Sequence, residues 1–594
     1  MRKYFPWLVS AGALFTALVY HGTLSFPFVD WDDPGYIREN PGAGVLSLTR
    51  IIIESGRYVM GNWHPVTMLS YAADLSLFGM DPGGMHLTNL LLHTFNAVLV
   101  ALFLRSVSGD PLVAVVGMVL WAVHPLRVES VAWISGRKDL LMTLFGMLML
   151  LAWLRWSRNG VRWAYASSLV AFTLACLSKG MAVAFVPSIW LIDLHLGHVV
   201  WHRRYLLLQL PFILIAIAVG VVTLDAQTVV METATQHIGA MDRFHAGPAN
   251  LLVYAIQQVL PIGLNARYAY PLVNGELPSW YGWACYFTLS LIGILVWRGP
   301  LRSPVVLGIW FFILNTALVL QWLPVGEAIR ADRYTYLAGV GASLVIALAV
   351  VSLGRTLFPR SLVRSVSVFV GVLLVWFVPL TRSRIQVWSS PQAVWSDMIA
   401  AHPRDPKHYV DRAITYRRQG NDVAAMADLD RAVARAGAQH RPYHERGMYN
   451  MTNERYPEAM ADLLEVFKRK PEEPGLIANM IFVQLAMGMC DDVERNSTLA
   501  LSADTLALDL WSLRAACRIE RGEHGQAMSD LLKALELDRW KKETWMLMAR
   551  AFHGSGDSAM ACRIHASGLM GDQFKHPYME RMRAEVADAC SITR

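Results

Sequence analysis

The sequence predicts an all-α chain in two parts: a polytopic bundle of membrane-crossing helices, then a solenoid of repeated helix pairs. Three observations predict it. Across 594 residues, 54% are hydrophobic and only 17% charged, against about 25% charged in an ordinary soluble domain. Long apolar runs fill the first two thirds, and from about Trp388 amphipathic patterning replaces them. Within that last third, small and acidic residues recur at one fixed spacing.

A helix needs roughly 20 apolar residues to cross the hydrocarbon core. Eleven stretches are candidates: about 6–25, 86–105, 111–124, 139–156, 162–178, 180–196, 205–224, 282–297, 304–323, 335–353 and 365–381. Met1-Arg2-Lys3 and the run behind it resemble the start of a signal peptide, but no small-x-small cleavage site follows, so a retained first helix is expected. The segment 247–264, with two prolines and Gln257-Gln258, reads as an interfacial helix.

The formal charge of +7 does not indicate a nucleic-acid binder, because the cations are distributed among short loops. One set of alternate loops carries Arg105; Arg155, Arg158 and Arg162; Arg203 and Arg204; Arg298 and Arg302; Arg355, Arg360 and Arg364, with Asp110 the only acid. The opposite set carries Asp30, Asp32, Asp33, Glu54, Glu129, Asp139, Asp225, Glu232, Asp242, Glu276, Glu327 and Asp332. Basic loops stay inside. The expected topology therefore has a cytoplasmic N-terminus and, with an odd span count, a C-terminal third on the far side, periplasmic in a bacterial inner membrane. Six scattered cysteines show no CxxC or zinc spacing and decide neither redox compartment nor metal.

In the last third, Gly420, Gly488, Gly522 and Gly556 fall on one 34-residue grid, with Glu454 as the exception. Ala425, Ala459, Ala527 and Ala561 fall on a second, with Val493 at the missing position, and Asp428, Asp462 and Asp530 share a third. A 34-residue helix-turn-helix period is the tetratricopeptide signature. About five repeats are expected, the middle one degenerate, stacked into a curved solenoid. The expected domains are a membrane domain over 1–385, a linker over 386–404, the repeats over 405–573 and a terminal helix or tail over 574–594.

Candidate chemistry gathers in the acid-rich loops. Loop 26–85 opens with Asp30-Trp31-Asp32-Asp33-Pro34-Gly35-Tyr36 and continues through Asn62-Trp63-His64-Pro65. Carboxylates beside a bilayer are costly unless they face water, a partner or a substrate. Asp-Pro-Gly is also turn chemistry, so this stretch can be a solvated loop or can hold a general base. Arg137, Lys138, Lys179, Arg330 and Arg333 sit at span ends on the same side. They can snorkel or pair with neighbouring acids, or clamp an anionic head group and a departing phosphate. His86, Asn89 and His93 share one helical face. His64, His86, His93 and His124 have no tight metal spacing, so structural or hydrogen-bonding roles are expected and no metal ligand is assigned. Trp and Tyr near span ends read as interface anchors.

In combination these residues resemble the C-type (GT-C fold), polyprenyl-phosphate-dependent glycosyltransferases. The chain further resembles transmembrane O-mannosyltransferase-like proteins with C-terminal tetratricopeptide repeats. The stretches that carry the resemblance are Phe28-Val29-Asp30-Trp31-Asp32-Asp33 with Asn40-Pro41; Phe78-Gly79-Met80-Asp81-Pro82 through His93; His124-Pro125-Leu126-Arg127-Val128-Glu129 through Trp133, with Arg137-Lys138-Asp139; Ser178-Lys179; and Asp332-Arg333-Tyr334-Thr335-Tyr336-Leu337. The resemblance implies an inverting membrane enzyme that moves a monosaccharide from a polyprenyl-phosphate donor to a hydroxyl acceptor, a protein or glycan, by O-glycosylation on the non-cytoplasmic side. Asp32 would be the base, with Asp33 and Glu129 completing the catalytic set. His64, His86, Arg137, Lys138, Lys179, Arg330, Arg333 and Tyr334 would meet lipid phosphate or sugar. A divalent ion at the phosphate stays open, and so does docking of the acceptor on the repeats. The alternative reading is a membrane-anchored repeat scaffold for envelope or glycan assembly without catalysis. A transporter would place its ionisable residues at mid-membrane depth, whereas most of these lie at span ends.

Overall fold

The computed structural model describes residues 2–39, 56–228, 239–272, 276–300, 302–322, 328–567, 569 and 577–592. Asn40-Pro41 and the acids Glu54, Glu232 and Glu327 lie outside the described residues. The described chain is helical, with isolated β-bridges that include Val59 with Asn62 and Tyr268 with Arg330. It divides into two compact units, Met1–His402 and Pro403–Arg594.

All eleven apolar stretches are helical, but they do not all reach membrane-spanning length. Among the described residues seven helices are long and apolar enough to cross a membrane, and an eighth candidate is a pair, Pro111–Ala122 and Pro125–Ala132, bent by 62°. Gly180–His195 and Pro304–Val319 are shorter apolar helices. Of the segment 247–264, residues 247–257 belong to the helix Ala240–Gln257, which contains Pro248, and 258–264 follow it as irregular chain.

The helix Pro82–Ser108 is the hub of the first unit, packing against Phe5–Tyr20, Pro111–Ala122 and Arg137–Asn159. Its ends are written in the sequence. The Asp81 carboxylate accepts from Gly83 N at 3.0 Å, and Pro82 follows at the first helical position, where its missing N–H costs nothing. Gly109, at φ 70°, ends it in the left-handed conformation. Asp110 and Pro111 then repeat the same cap for the next helix.

That next helix breaks after Ala122. A broken helix in an apolar setting frees backbone carbonyls, each of which needs a donor. Side chains supply them. His93 Nε2 donates to Ala122 O at 2.9 Å, leaving Nδ1 to accept from the Tyr336 hydroxyl at 2.7 Å. Thr381 Oγ1 donates to Val123 O at 2.7 Å, Asn89 Nδ2 to Trp133 O at 3.1 Å and the Tyr71 hydroxyl to Ile134 O at 3.1 Å. The polar face of Asn89 and His93 thus holds the break at 122–136 in place.

The second unit contains five helix pairs, from Pro406–Arg418 with Asp422–Val433 to Lys542–Gly554 with Ser558–Ala566, followed by Pro577–Ile592. It is a tetratricopeptide solenoid. Ala425, Ala459, Val493, Ala527 and Ala561 are all fully buried where paired helices approach. Gly420, Gly488, Gly522 and Gly556 take φ between 74° and 92° in the turn inside each pair, and Glu454 takes the same position at 59°. The aspartate grid marks a repeated ion pair. Arg412, Arg446 and Arg514 each grip Asp428, Asp462 and Asp530 through two nitrogens at 2.6–3.0 Å, the fork geometry that suits a guanidinium. In the degenerate middle repeat the equivalent positions are Met480 and Asn496, and Asn496 turns to Gln484 instead, at 3.1 Å.

Four of the six cysteines are paired. Cys490–Cys517 joins the third repeat to the fourth, and Cys562–Cys590 ties the last repeat to the terminal helix. Cys176 and Cys285, in the first unit, are free and buried. Unreduced protein unfolded in denaturant should therefore titrate two thiols, and six after reduction; six without reductant would remove both bridges.

Candidate active site

Asp33 organises the site. The first helix and the turn His21–Ser25 lead through extended backbone at Phe26 to a π-helical turn, Pro34–Arg38. The Asp33 side chain points inward, fully buried, and accepts from Val29 N at 2.9 Å, from Ser135 N at 3.1 Å and from Ser135 Oγ. It pins the first loop to the turn beyond the broken helix. Burial, with smaller help from Asp32, pushes Asp33 up to about 6 against the opposing pull of its hydrogen bonds.

That pinning turns Asp32 the other way. Its carboxylate keeps 22% of its surface exposed and lies 3.8 Å from Lys138 Nζ, too far for a hydrogen bond. The Lys138 ammonium sits 5.0 Å from the Tyr36 ring and 5.5 Å from the Trp133 ring. Arg333 approaches the same Trp133 ring at 5.5 Å and the Tyr334 ring at 5.1 Å. Lys179 approaches Tyr334 at 5.9 Å. Three cations, Lys138, Lys179 and Arg333, therefore surround two aromatic rings.

Two of the cations are closely paired. Lys179 Nζ is 2.6 Å from Asp139 Oδ1, and Arg333 meets Glu129 through Nη1 and through its backbone N–H at 2.8 Å. Burial, with Lys138 and Arg333 nearby, lowers the Lys179 ammonium although Asp139 opposes the shift. Burial also pulls on Arg333, but Glu129 and Tyr334 more than offset it, and the guanidinium is held above its usual range. Glu129 is only 2% exposed and serves as the seat of Arg333.

The remaining expected residues separate. Tyr334 and His64 join the cluster; Arg137, His86 and Arg330 do not. Arg137 is fully buried and its guanidinium is consumed: by Asn89 Oδ1 at 2.9 Å, Met85 O at 2.9 Å, Ser70 O at 3.3 Å and Asp74 at 2.5 Å. It locks the helix Pro65–Phe78 to the hub. His86 is buried with its ring edge-on to Phe26. The Arg330 guanidinium covers the Tyr268 ring at 4.9 Å. His64 is buried against Tyr36, and burial, then Lys138 and Lys179, push it down to about 3, so it stands neutral at physiological pH.

The reading of Trp residues as interface anchors passes over an aromatic stack. Trp31 stacks on Trp133 at 5.2 Å, both neighbour Trp388 at 6.4 and 5.5 Å, and Trp395 lies 6.0 Å from Trp31. Trp31 stands next to Asp32 in sequence, and that adjacency was the available signal. Asp332 is a second addition: it is buried, accepts from the Tyr268 hydroxyl at 2.6 Å, and is pushed up by burial and by Glu129. Three buried polar atoms in the cluster, His64 Nε2, Trp133 Nε1 and Asp139 Oδ2, have no hydrogen-bond partner among the described residues. Among the same residues no group of three or more His, Cys, Asp or Glu is placed to hold a metal ion.

With this geometry in hand, comparison with known proteins is informative. The chain is similar to protein O-mannosyl-transferases. Tmtc1 of Drosophila melanogaster is 29% identical over 167 residues, 27% of this chain and 19% of that protein. Human TMTC4 is 21% identical over 434 residues, 61% of this chain and 57% of that protein. The chain thus spans about a fifth of the first relative's length and little more than half of the second's. No family model matches. Among solved structures, a tetratricopeptide repeat protein from Parabacteroides merdae is 14% identical with a TM-score of 0.28, over 47% of this chain and 99% of that one; the repeat assignment rests on the packing described above.

Asp33 binds a proton more readily folded than unfolded, where a carboxyl titrates near 4. Its contribution to stability is therefore fully present below about pH 4 and declines as pH rises through about 6. Thermal unfolding of Asp33→Asn, which cannot ionise, should lack this component of the pH profile. An unchanged profile would show that Asp33 titrates normally.

Proposed function

We propose that this chain is an inverting glycosyltransferase that moves a hexose, mannose by similarity, from a polyprenyl-phosphate donor to a hydroxyl acceptor. The observation that carries the proposal is the state of Asp32: the partly exposed carboxylate of the cluster, unbonded to its cation and surrounded by groups that suit a phosphate. Asp32 takes the proton of the acceptor hydroxyl as its oxygen attacks the sugar C1. The C1–O bond to phosphate breaks on the opposite face, and polyprenyl phosphate leaves with the bonding electrons. Lys138, Lys179 and Arg333 offset the charge that develops there.

The three cations have unequal freedom. Arg333 and Lys179 are held by Glu129 and Asp139, and so stay in place with or without a ligand. Among the described residues Lys138 meets its carboxylate, Asp32, only loosely, and otherwise lies beside the Tyr36 and Trp133 rings. A phosphate that draws Lys138 towards itself leaves the Asp32 carboxylate open to the acceptor hydroxyl, so donor binding would prime the acceptor side. Neutral His64 and the Trp133 indole, each with a nitrogen bare of partners, suit hydrogen bonds to a bound donor; buried polar atoms normally have such partners. Arg137 plays no part in this chemistry.

Two features support catalysis on the non-cytoplasmic face. The cluster is at the end of the bundle opposite Arg105, Arg155 and Arg158, and basic loops stay inside. The repeat unit carries two disulfides, which persist in oxidising compartments.

Purified full-length protein incubated with radiolabelled polyprenyl-phosphate mannose and candidate acceptors should release labelled product. Asp32→Asn should lower the rate by about 10²–10⁴-fold with expression and thermal stability retained. Lys138→Gln should mainly weaken donor use. A fully active Asp32→Asn protein would eliminate the mechanism.

A further inference from the structure

The basic end of the bundle carries a second candidate site. A groove of about 1300 Å³ runs between the helices Pro82–Ser108, Arg137–Asn159 and Arg162–Ser178. Its walls are apolar, with Phe145, Leu148 and Val170 among the lining residues, and Leu148 and Val170 are 37% and 60% exposed. Its mouth is cationic: Arg105, Arg155 and Arg158 all line it. Arg158 donates to Ser106 O at 2.6 Å, and the Arg155 guanidinium lies over the exposed Trp163 ring at 4.5 Å. Among the described residues no carboxylate pairs with any of the three. The acid in the adjoining turn, Asp110, is held by Arg355. The site lies about 25 Å along the helix Arg137–Asn159 from Lys138, so it is separate from the cluster described above.

We propose that this groove binds an anionic diacyl phospholipid of the cytoplasmic leaflet, with the headgroup phosphate on the three guanidiniums and one acyl chain along the apolar wall. Cations near helix C-termini complement the helix dipole, and a positive inner face orients the chain. Neither requirement explains why three arginines line one groove whose wall is open and apolar, Arg105 from over the Phe5 ring at 4.4 Å. A soluble anion would not need that wall, and a neutral lipid would not need the cations. The arginine fork suits a phosphate, and Trp163 has the amphipathic ring that sits at headgroup level. Basic pockets between transmembrane helices on this side recognise anionic headgroups in general.

The test is lipid retention by the full-length protein in native mass spectrometry, titrated with phosphatidylglycerol and phosphatidylcholine of identical acyl chains. Phosphatidylglycerol should be retained at least about tenfold more strongly. Replacing the arginines together, Arg105→Gln with Arg155→Gln and Arg158→Gln, should reduce it to the phosphatidylcholine level. Ser167→Trp, which fills the groove and keeps every charge, should also abolish the preference, and guards against a folding defect in the triple variant. Glycerol 3-phosphate should not compete. Equal retention of the two lipids, a preference that survives both variants, or full competition by glycerol 3-phosphate would each overturn the proposal, the last by revealing a site for a free anion.

Discussion

The structure of the first unit depends on the satisfaction of backbone groups freed where the helix starting at Pro111 breaks. Within a bilayer an open carbonyl has no water to turn to, so a break survives only where side chains replace the lost helical bonds. Asn89, His93, Thr381 and Tyr71 do this from three different helices. Once held, the irregular segment 123–136 supplies Glu129, Trp133 and Ser135 and starts the helix that bears Lys138 and Asp139. Asp33 then closes the arrangement from the first loop through Ser135. The acidic pair in that loop is therefore divided by burial: Asp33 is consumed in holding the site together, and Asp32 is left facing outward.

The extent to which this was legible from residues alone follows from the range of each interaction. Helix ends are local, and Asp81-Pro82, Gly109, Asp110-Pro111 and the 34-residue phases are visible without coordinates. The repeats are legible even where they fail, because Met480 and Asn496 replace the Arg and Asp of the neighbouring pairs. Arg137 and Lys138 are adjacent and chemically alike, yet one is fully buried on Asp74 and the other is 12% exposed beside Asp32. Successive residues of a helix face directions about 100° apart, so adjacency says nothing about shared surroundings. The position of Asp74 on a separate helix cannot be inferred from spacing. The same limit applies to Glu129, whose partner Arg333 is 204 positions away, and to the cysteine pairing. The histidine face was visible as a stripe, but its purpose becomes clear only beside the break it repairs.

Helix length is a further point of difference. Stretches such as 180–196 and 304–323 are apolar enough to suggest spans but form short helices. Hydropathy registers whether a segment tolerates an apolar surrounding and not what surrounds it. Ile189 and Ile192 are fully buried against protein, whereas most of Tyr205–Ala226 faces outward, with only 17% of its apolar window buried. Both read alike in sequence, although the second has an exposed apolar surface over most of its length.

The charges at the cluster can be understood as a balance. Three carboxylates, Asp32, Glu129 and Asp139, face three cations, Lys138, Lys179 and Arg333. A buried cation without a partner is expensive, so a site intended for an anion cannot simply present bare charge in an apolar bundle. Pairing Arg333 and Lys179 with deeply buried acids keeps them charged and oriented, while their outward faces retain donors for a ligand. The same pairing commits two of the acids, Glu129 to the Arg333 guanidinium and Asp139 to the Lys179 ammonium. Only the loosest pair can change partners at modest cost, and that pair contains Asp32. The proposal of Asp32 as base rests on where the other acids are committed, and it extends equally to any anionic donor that competes for Lys138.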